Sequence, residues 1–114
     1  MHKRDTDLLI GDMTECCSNI FRYTLSMTYN DFISDRKTID AVIRNFEVLG
    51  EASKRMPEEV RITNPQIEWK KISDFRNILI HDYFGINYEI VWKIIKDFLP
   101  EQFEFLQQLL NNFI

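Results

Sequence analysis

Apolar side chains recur along most of the chain at spacings of three and four residues, and no segment shows the strict alternation of a half-buried strand. The clearest stripe is Ile39, Val42, Ile43, Phe46 and Leu49, at i, i+3, i+4, i+7 and i+10. It predicts a helix from about Asp35 to Arg55, closed by Pro57. A first helix is expected from Asp5 to about Met27, with Leu9, Met13, Cys16, Cys17, Ile20 and Tyr23 or Thr24 facing inward. Tyr29-Asn30-Asp31 reads as the turn after it. Asn64 followed by Pro65 reads as an N-cap with proline at the first helical position. The helix it opens carries Ile67, Ile72, Phe75, Leu79 and Ile80, and Gly85 and Asn87 punctuate its end. Another helix begins near Tyr88 with Ile90, Val91, Ile94, Ile95 and Phe98. Pro100 starts or kinks the last one, which carries Phe103, Leu106, Leu109, Leu110 and Phe113. The expected architecture is an all-α, single-domain antiparallel bundle of four to five helices over residues 1–114. Gly50 sits inside the strongest helical pattern, where glycine costs about 1 kcal/mol relative to alanine, so a close helix crossing is expected there.

Composition narrows the class. A chain of 114 residues can bury a core without disulfide or metal staples. No uninterrupted apolar run is long enough to span a bilayer, and residues 1–5 lead into a mixed amphipathic segment without the features of an export signal. A cytoplasmic location is expected, with no membrane partner. The adjacent Cys16 and Cys17 supply neither a disulfide framework nor separated zinc-ligand pairs, and are expected as buried thiols. The net charge of −4 excludes a generic nucleic-acid coat, whose affinity comes from cations that displace counterions. Lys54, Arg55, Arg61, Lys70, Lys71 and Arg76 could bind nucleic acid locally, but Glu51, Glu58, Glu59 and Glu68 interleave with them, so all except Arg76 read as a solvated mixed face.

Chemistry concentrates between Arg76 and Tyr83. Arginine presents a planar fork of permanently protonated donors suited to phosphate oxygens, and histidine exchanges a proton near neutrality. Arg76 and His81 are five residues apart, so a straight helix sets them about 140° apart around its axis. Either the helix distorts or the working site draws on more than one chain. General acid–base cleavage of RNA commonly uses two proton-transfer groups, and His81 is the one histidine away from the N-terminus, where His2 lies. A two-fold dimer would bring His81 and its symmetry mate together. Asp82 adjoins His81, but neighbouring helical residues point about 100° apart, so a solvated or capping carboxylate is expected. Trp69 and Trp92 read as core or interface aromatics.

The run Arg76-Asn77-x3-His81-x-Tyr83 resembles the Arg-x4-His-x-Tyr signature of HepT-like toxins, a branch of the HEPN superfamily. The resemblance extends over nearly the whole chain. Asp40 to Asn45, Leu49-Gly50-Glu51-Ala52, Trp69-Lys70-Lys71-Ile72, Ile80 to Gly85 and Ile90-Val91-Trp92 are similar to the family's recurring blocks, in the same order.

The resemblance implies a metal-independent endoribonuclease that needs no cofactor, acting as the toxin of a toxin–antitoxin pair. It implies a homodimer formed through the motif-bearing helices and an antitoxin of the MntA type, a minimal nucleotidyltransferase. Arg76 and His81 would be catalytic, Asn77 supporting, and Tyr83 the residue silenced by adenylylation. RNA is the expected substrate and DNA is not, because the attacking group is a ribose 2′-hydroxyl. The competing reading is a non-catalytic subunit that binds a nucleotide or substrate for a minimal nucleotidyltransferase. That subunit needs Arg76 and tolerates loss of His81. A third reading, a dimerising scaffold, tolerates loss of both.

Overall fold

In the computed structural model the backbone is described for residues 3–113, without the side chains of residues 3, 4 and 83. His2 lies outside the described residues. The elements in chain order are α1 (Lys3–Tyr23), α2 (Tyr29–Ile33), α3 (Arg36–Arg55), α4 (Glu58–Thr63), α5 (Trp69–His81), a 3-10 turn (Tyr83–Gly85) and α6 (Tyr88–Lys93). A π-helical turn (Ile94–Phe98) then joins α6 to α7 (Leu99–Asn111) without a break. The described residues are all-α and contain no strand. Four long helical segments form the bundle, and α3 is its centre, packing on α1 along one side and α5 along another, while α7 packs on α1.

The apolar stripe of α3 is buried as the spacing predicts, from Ile39 through Leu49. Asp35 caps its first turn by accepting from the Thr38 amide at 3.1 Å, and this holds the Asp35 carboxyl below its ordinary pKa. On α1 the stripe from Leu9 to Ile20 is buried, but the helix stops at Tyr23, short of Met27. The reversal runs through Ser26, whose φ of 63° is left-handed. Tyr23 is exposed and Thr24 buried, its hydroxyl donating to the Ile20 carbonyl at 2.8 Å.

Three local expectations are corrected. Tyr29-Asn30-Asp31 is not a turn but the opening of α2. Thr28 and Asp31 form a reciprocal capping box there, each side chain accepting from the other residue's amide, and the short helix buries Phe32. Asn64 does not cap the third long helix. It ends the short α4, its side-chain amide donating back to the Val60 carbonyl at 2.9 Å. Pro65 and Ile67 fall in the connection, and α5 begins at Trp69. Finally, Ile80 and Ile90 are exposed rather than part of the apolar faces assigned to them.

Pro100 stands in the first turn of α7, directly after the π-helical turn. It has no N–H to donate to the preceding turn. The Leu99 amide reaches the Ile94 carbonyl, five residues back, so the wider turn carries the helix past the proline without ending it.

Candidate functional site

The site is organised by how α5 is held. Its N-cap residue, Glu68, makes no side-chain cap. Instead Gln102 of α7, itself buried, accepts from the Glu68 amide through Oε1 at 2.9 Å. Trp69 is core, as expected, with its indole N–H donating to the Asn64 carbonyl at 3.0 Å. Buried Ser53 of α3 donates to the Trp69 carbonyl at 2.8 Å. These bonds fix the start of α5 against α3 and α7, and Ile72 and Leu79 bury its inner face.

Halfway along, α5 crosses α3 at Gly50. A Cβ on Gly50 would stand 2.1 Å from Arg76 Cβ and 3.0 Å from the Ile72 carbonyl oxygen. The close crossing expected at this glycine is present, and the residue it admits is Arg76. The guanidinium lies along the crossing with its two ends occupied. Nη1 donates to Asn77 Oδ1 at 3.0 Å, and Nη2 pairs with Glu51 Oε2 of α3 at 2.9 Å. Asn77 thus accepts a hydrogen bond from Arg76, and no such bond joins it to His81 among the described residues. Glu51 was not among the expected site residues. Its sequence signal was present in its adjacency to Gly50, since the residue next to a glycine crossing is placed to meet the facing helix.

His81 is the last residue of α5 and is exposed. No helical distortion interrupts α5 between Arg76 and His81, so the offset of about 140° for five helical residues holds. One chain brings together Arg76, Asn77 and Glu51, and leaves His81 on a different side. Among the residues next to His81 in the chain, Ile78 is 56% exposed, Ile80 42% and Phe84 fully exposed. Asp82 is exposed at the helix end, where its amide donates to the Ile78 carbonyl and its carbonyl accepts from the Gly85 amide, both at 2.9 Å. The Tyr83 side chain lies outside the described part of the structure.

The remaining cations behave as a mixed face. Lys70 pairs with Asp74 at 2.8 Å and Lys71 with Glu68 at 3.0 Å, all within one helical turn. Trp92 packs on Phe32 with ring centroids 5.2 Å apart, and Lys96 lies 4.6 Å over its ring, so this tryptophan is also structural. Cys16 and Cys17 are buried free thiols. Burial, with Asp12 and Glu15 nearby, pushes Cys16 up to about 11. Burial next to Cys16 pushes Cys17 up to about 12.

The model of the HepT-like ribonuclease family matches residues 13–109. The chain belongs to that family. Its relatives include "Putative RNase MJ0127" of Methanocaldococcus jannaschii, 39% identical over 98% of this chain and 93% of the relative. A second protein of that organism, "Putative RNase MJ1380", is 40% identical over 89% of this chain and 93% of its own length. "Probable ribonuclease HepT" of Thermococcus cleftensis is 37% identical over 86% of this chain and 89% of its own. Among solved structures, none matches the chain. Among the described residues no helix is long and apolar enough to cross a membrane.

Proposed function

We propose that this HepT-like chain is a metal-independent RNA endonuclease and the toxin of a toxin–antitoxin pair. The observation that carries the reading is the division of labour along α5. Arg76 is three-quarters covered and held at both ends, whereas His81 is exposed at the helix terminus amid apolar residues. A held guanidinium suits a fixed phosphate site, and an exposed imidazole in an apolar surround suits contact with a second copy.

In the dimer the two His81 side chains share the proton transfers. One imidazole takes the proton of a ribose 2′-hydroxyl as that oxygen attacks its own phosphorus, and the imidazolium of the other gives a proton to the departing 5′-oxygen. The products are a 2′,3′-cyclic phosphate and a 5′-hydroxyl. Arg76 binds the non-bridging oxygens and stabilises the phosphorane, an effect whose removal costs roughly 3–4 kcal/mol of barrier. Asn77 keeps the guanidinium oriented. Tyr83 follows two residues after His81 in the motif; an MntA-like antitoxin that transfers adenylate from ATP to its hydroxyl, with release of pyrophosphate, would add a bulky anion that repels RNA.

The separation of Arg76 from His81 within one chain also favours a second reading, a subunit that binds phosphate without cleaving it. Cleavage of cellular RNA in EDTA by protein shown unmodified by intact mass separates the two. The expected result is cyclic-phosphate ends that disappear in both Arg76→Ala and His81→Ala. A folded, unmodified dimer that cuts none of a varied set of RNAs would refute the nuclease and leave the binding subunit.

A further inference from the structure

We propose that Glu51 is a positioning residue of the Arg76 site: its carboxylate holds the guanidinium while no phosphate is bound, and moves to Arg55 when one arrives. The inference rests on reading Arg76 as a phosphate-binding group. Of the two partners in the 2.9 Å ion pair, Arg76 has a side chain 25% exposed and Glu51 one 48% exposed. The arginine stem is confined by the Gly50 crossing, so the carboxylate is the member free to leave.

It also has a reason to leave. A phosphate oxygen taking the same end of the guanidinium would stand beside the Glu51 carboxylate, and two anions at that range repel. Arg55 lies one helical turn further along α3, in the Glu-then-Arg order at i, i+4 that favours pairing. Glu51 and Arg55 line the same open hollow of about 240 Å³ between α1 and α3, with Arg44 and Glu47 on its wall. Arg44 already faces Glu47 at 3.9 Å, while Arg55 holds no ion pair among the described residues. A change of Glu51 rotamer would thus exchange one ion pair for another without moving either helix.

The test is anisotropy binding of a labelled, fully 2′-O-methylated single-stranded RNA, which cannot be cleaved through its 2′-oxygen, at one fixed salt concentration. Glu51→Gln keeps the size of the side chain and an acceptor for Arg76 but removes the competing charge. Its Kd is expected to fall about threefold to fivefold, the range a half-exposed ion pair can supply. Arg55→Ala should raise Kd in the parent and leave it unchanged in the Glu51→Gln background, because Arg55 acts through Glu51. The gain from Glu51→Gln should vanish in Arg76→Ala. The proposal is overturned by a Glu51→Gln protein that binds no tighter, by a gain that persists without Arg76, or by an Arg55→Ala loss of equal size in both backgrounds. Absence of measurable binding in every variant overturns it as well. If this pattern holds while the parent cleaves no RNA, the ribonuclease reading fails and the Glu51 assignment stands; cleavage without the pattern means the reverse.

Discussion

Gly50→Ala is the substitution that most directly probes how the fold sets the site. The new Cβ would stand 2.1 Å from Arg76 Cβ, 2.9 Å from Arg76 Cγ and 3.0 Å from the Ile72 carbonyl oxygen. The first contact is with the root of a side chain and the third with backbone, so rotating Arg76 does not relieve them. The helices have to part by about 1.3 Å, from 2.1 Å to the 3.4 Å at which ordinary contact begins. Overpacking of this kind costs about 1–3 kcal/mol, against a gain of about 1 kcal/mol from replacing a helical glycine by alanine. Backbone involvement puts the first figure at its upper end, so the net loss should be about 1–2 kcal/mol. Urea unfolding measures it, and Gly11→Ala supplies the control. Gly11 also lies inside a helix, but nothing stands within 4 Å of its added Cβ. That variant should gain up to about 1 kcal/mol. Parting the crossing also displaces Arg76, and if Arg76 is the phosphate-binding group proposed above, a displacement of about 1 Å there can cost roughly a hundredfold in rate. RNA cleavage by Gly50→Ala should therefore fall far more than its folded fraction does. A Gly50→Ala protein as stable and as active as the parent would refute the close crossing as the determinant of Arg76 position.

Gln102→Leu should destabilise by about 1–3 kcal/mol, because it strips the buried partner from the Glu68 amide; faster hydrogen exchange at that amide is the local readout. Ser26→Gly should stabilise by about 0.5–1 kcal/mol, since relief of the left-handed strain outweighs the added freedom of glycine in the unfolded chain, and a thermal melt decides it. The Cys16 and Cys17 thiols, raised to about 11 and 12 by burial, should resist a thiol reagent at pH 8 until the protein is unfolded. Because their folded pKa values lie above the unfolded value of 9.0, their contribution to stability is full below about pH 9. It is lost as pH rises through about 11 to 12, and replacing both cysteines by alanine should flatten that alkaline decline.

The elements legible in the sequence are those whose burial follows a long period. The α3 stripe from Ile39 to Leu49 and the α1 stripe from Leu9 to Ile20 could be placed because each extends over several turns, so tertiary packing had only to agree with the pattern. Short elements escaped for the opposite reason. Helices α2 and α4 are five and six residues long, too brief for periodicity, and their limits are set by side-chain hydrogen bonds at Thr28, Asp31 and Asn64. The Asn-Pro pair at residues 64 and 65 fits a helix start or a helix end equally well. In the fold Asn64 ends α4, and the start of α5 meets the Gln102 side chain arriving from α7, a long-range contact that no local spacing encodes. Ile80 and Ile90 misled because an apolar residue on a helix reads as core whether its cover comes from its own chain or from elsewhere.

The same distinction divides the site. Arg76 is fixed by things the sequence could point to, a glycine within a helical stripe and the polar residues beside it, and these act within one chain. His81 is fixed only by its place at the end of α5, and the exposed Ile78, Ile80 and Phe84 around it leave its surroundings open. Changes at the crossing should therefore act on phosphate binding by each chain separately. Changes on the apolar face around His81 should act on proton transfer and depend on protein concentration, as association does. Mixing Arg76→Ala and His81→Ala chains is the sharpest form of this argument. If each phosphate site takes its arginine from one chain and needs both histidines, the mixed dimer retains one arginine but lacks the histidine pair, and stays inactive. Recovery of cleavage on mixing would mean that one histidine suffices, and the two-histidine mechanism would have to be abandoned.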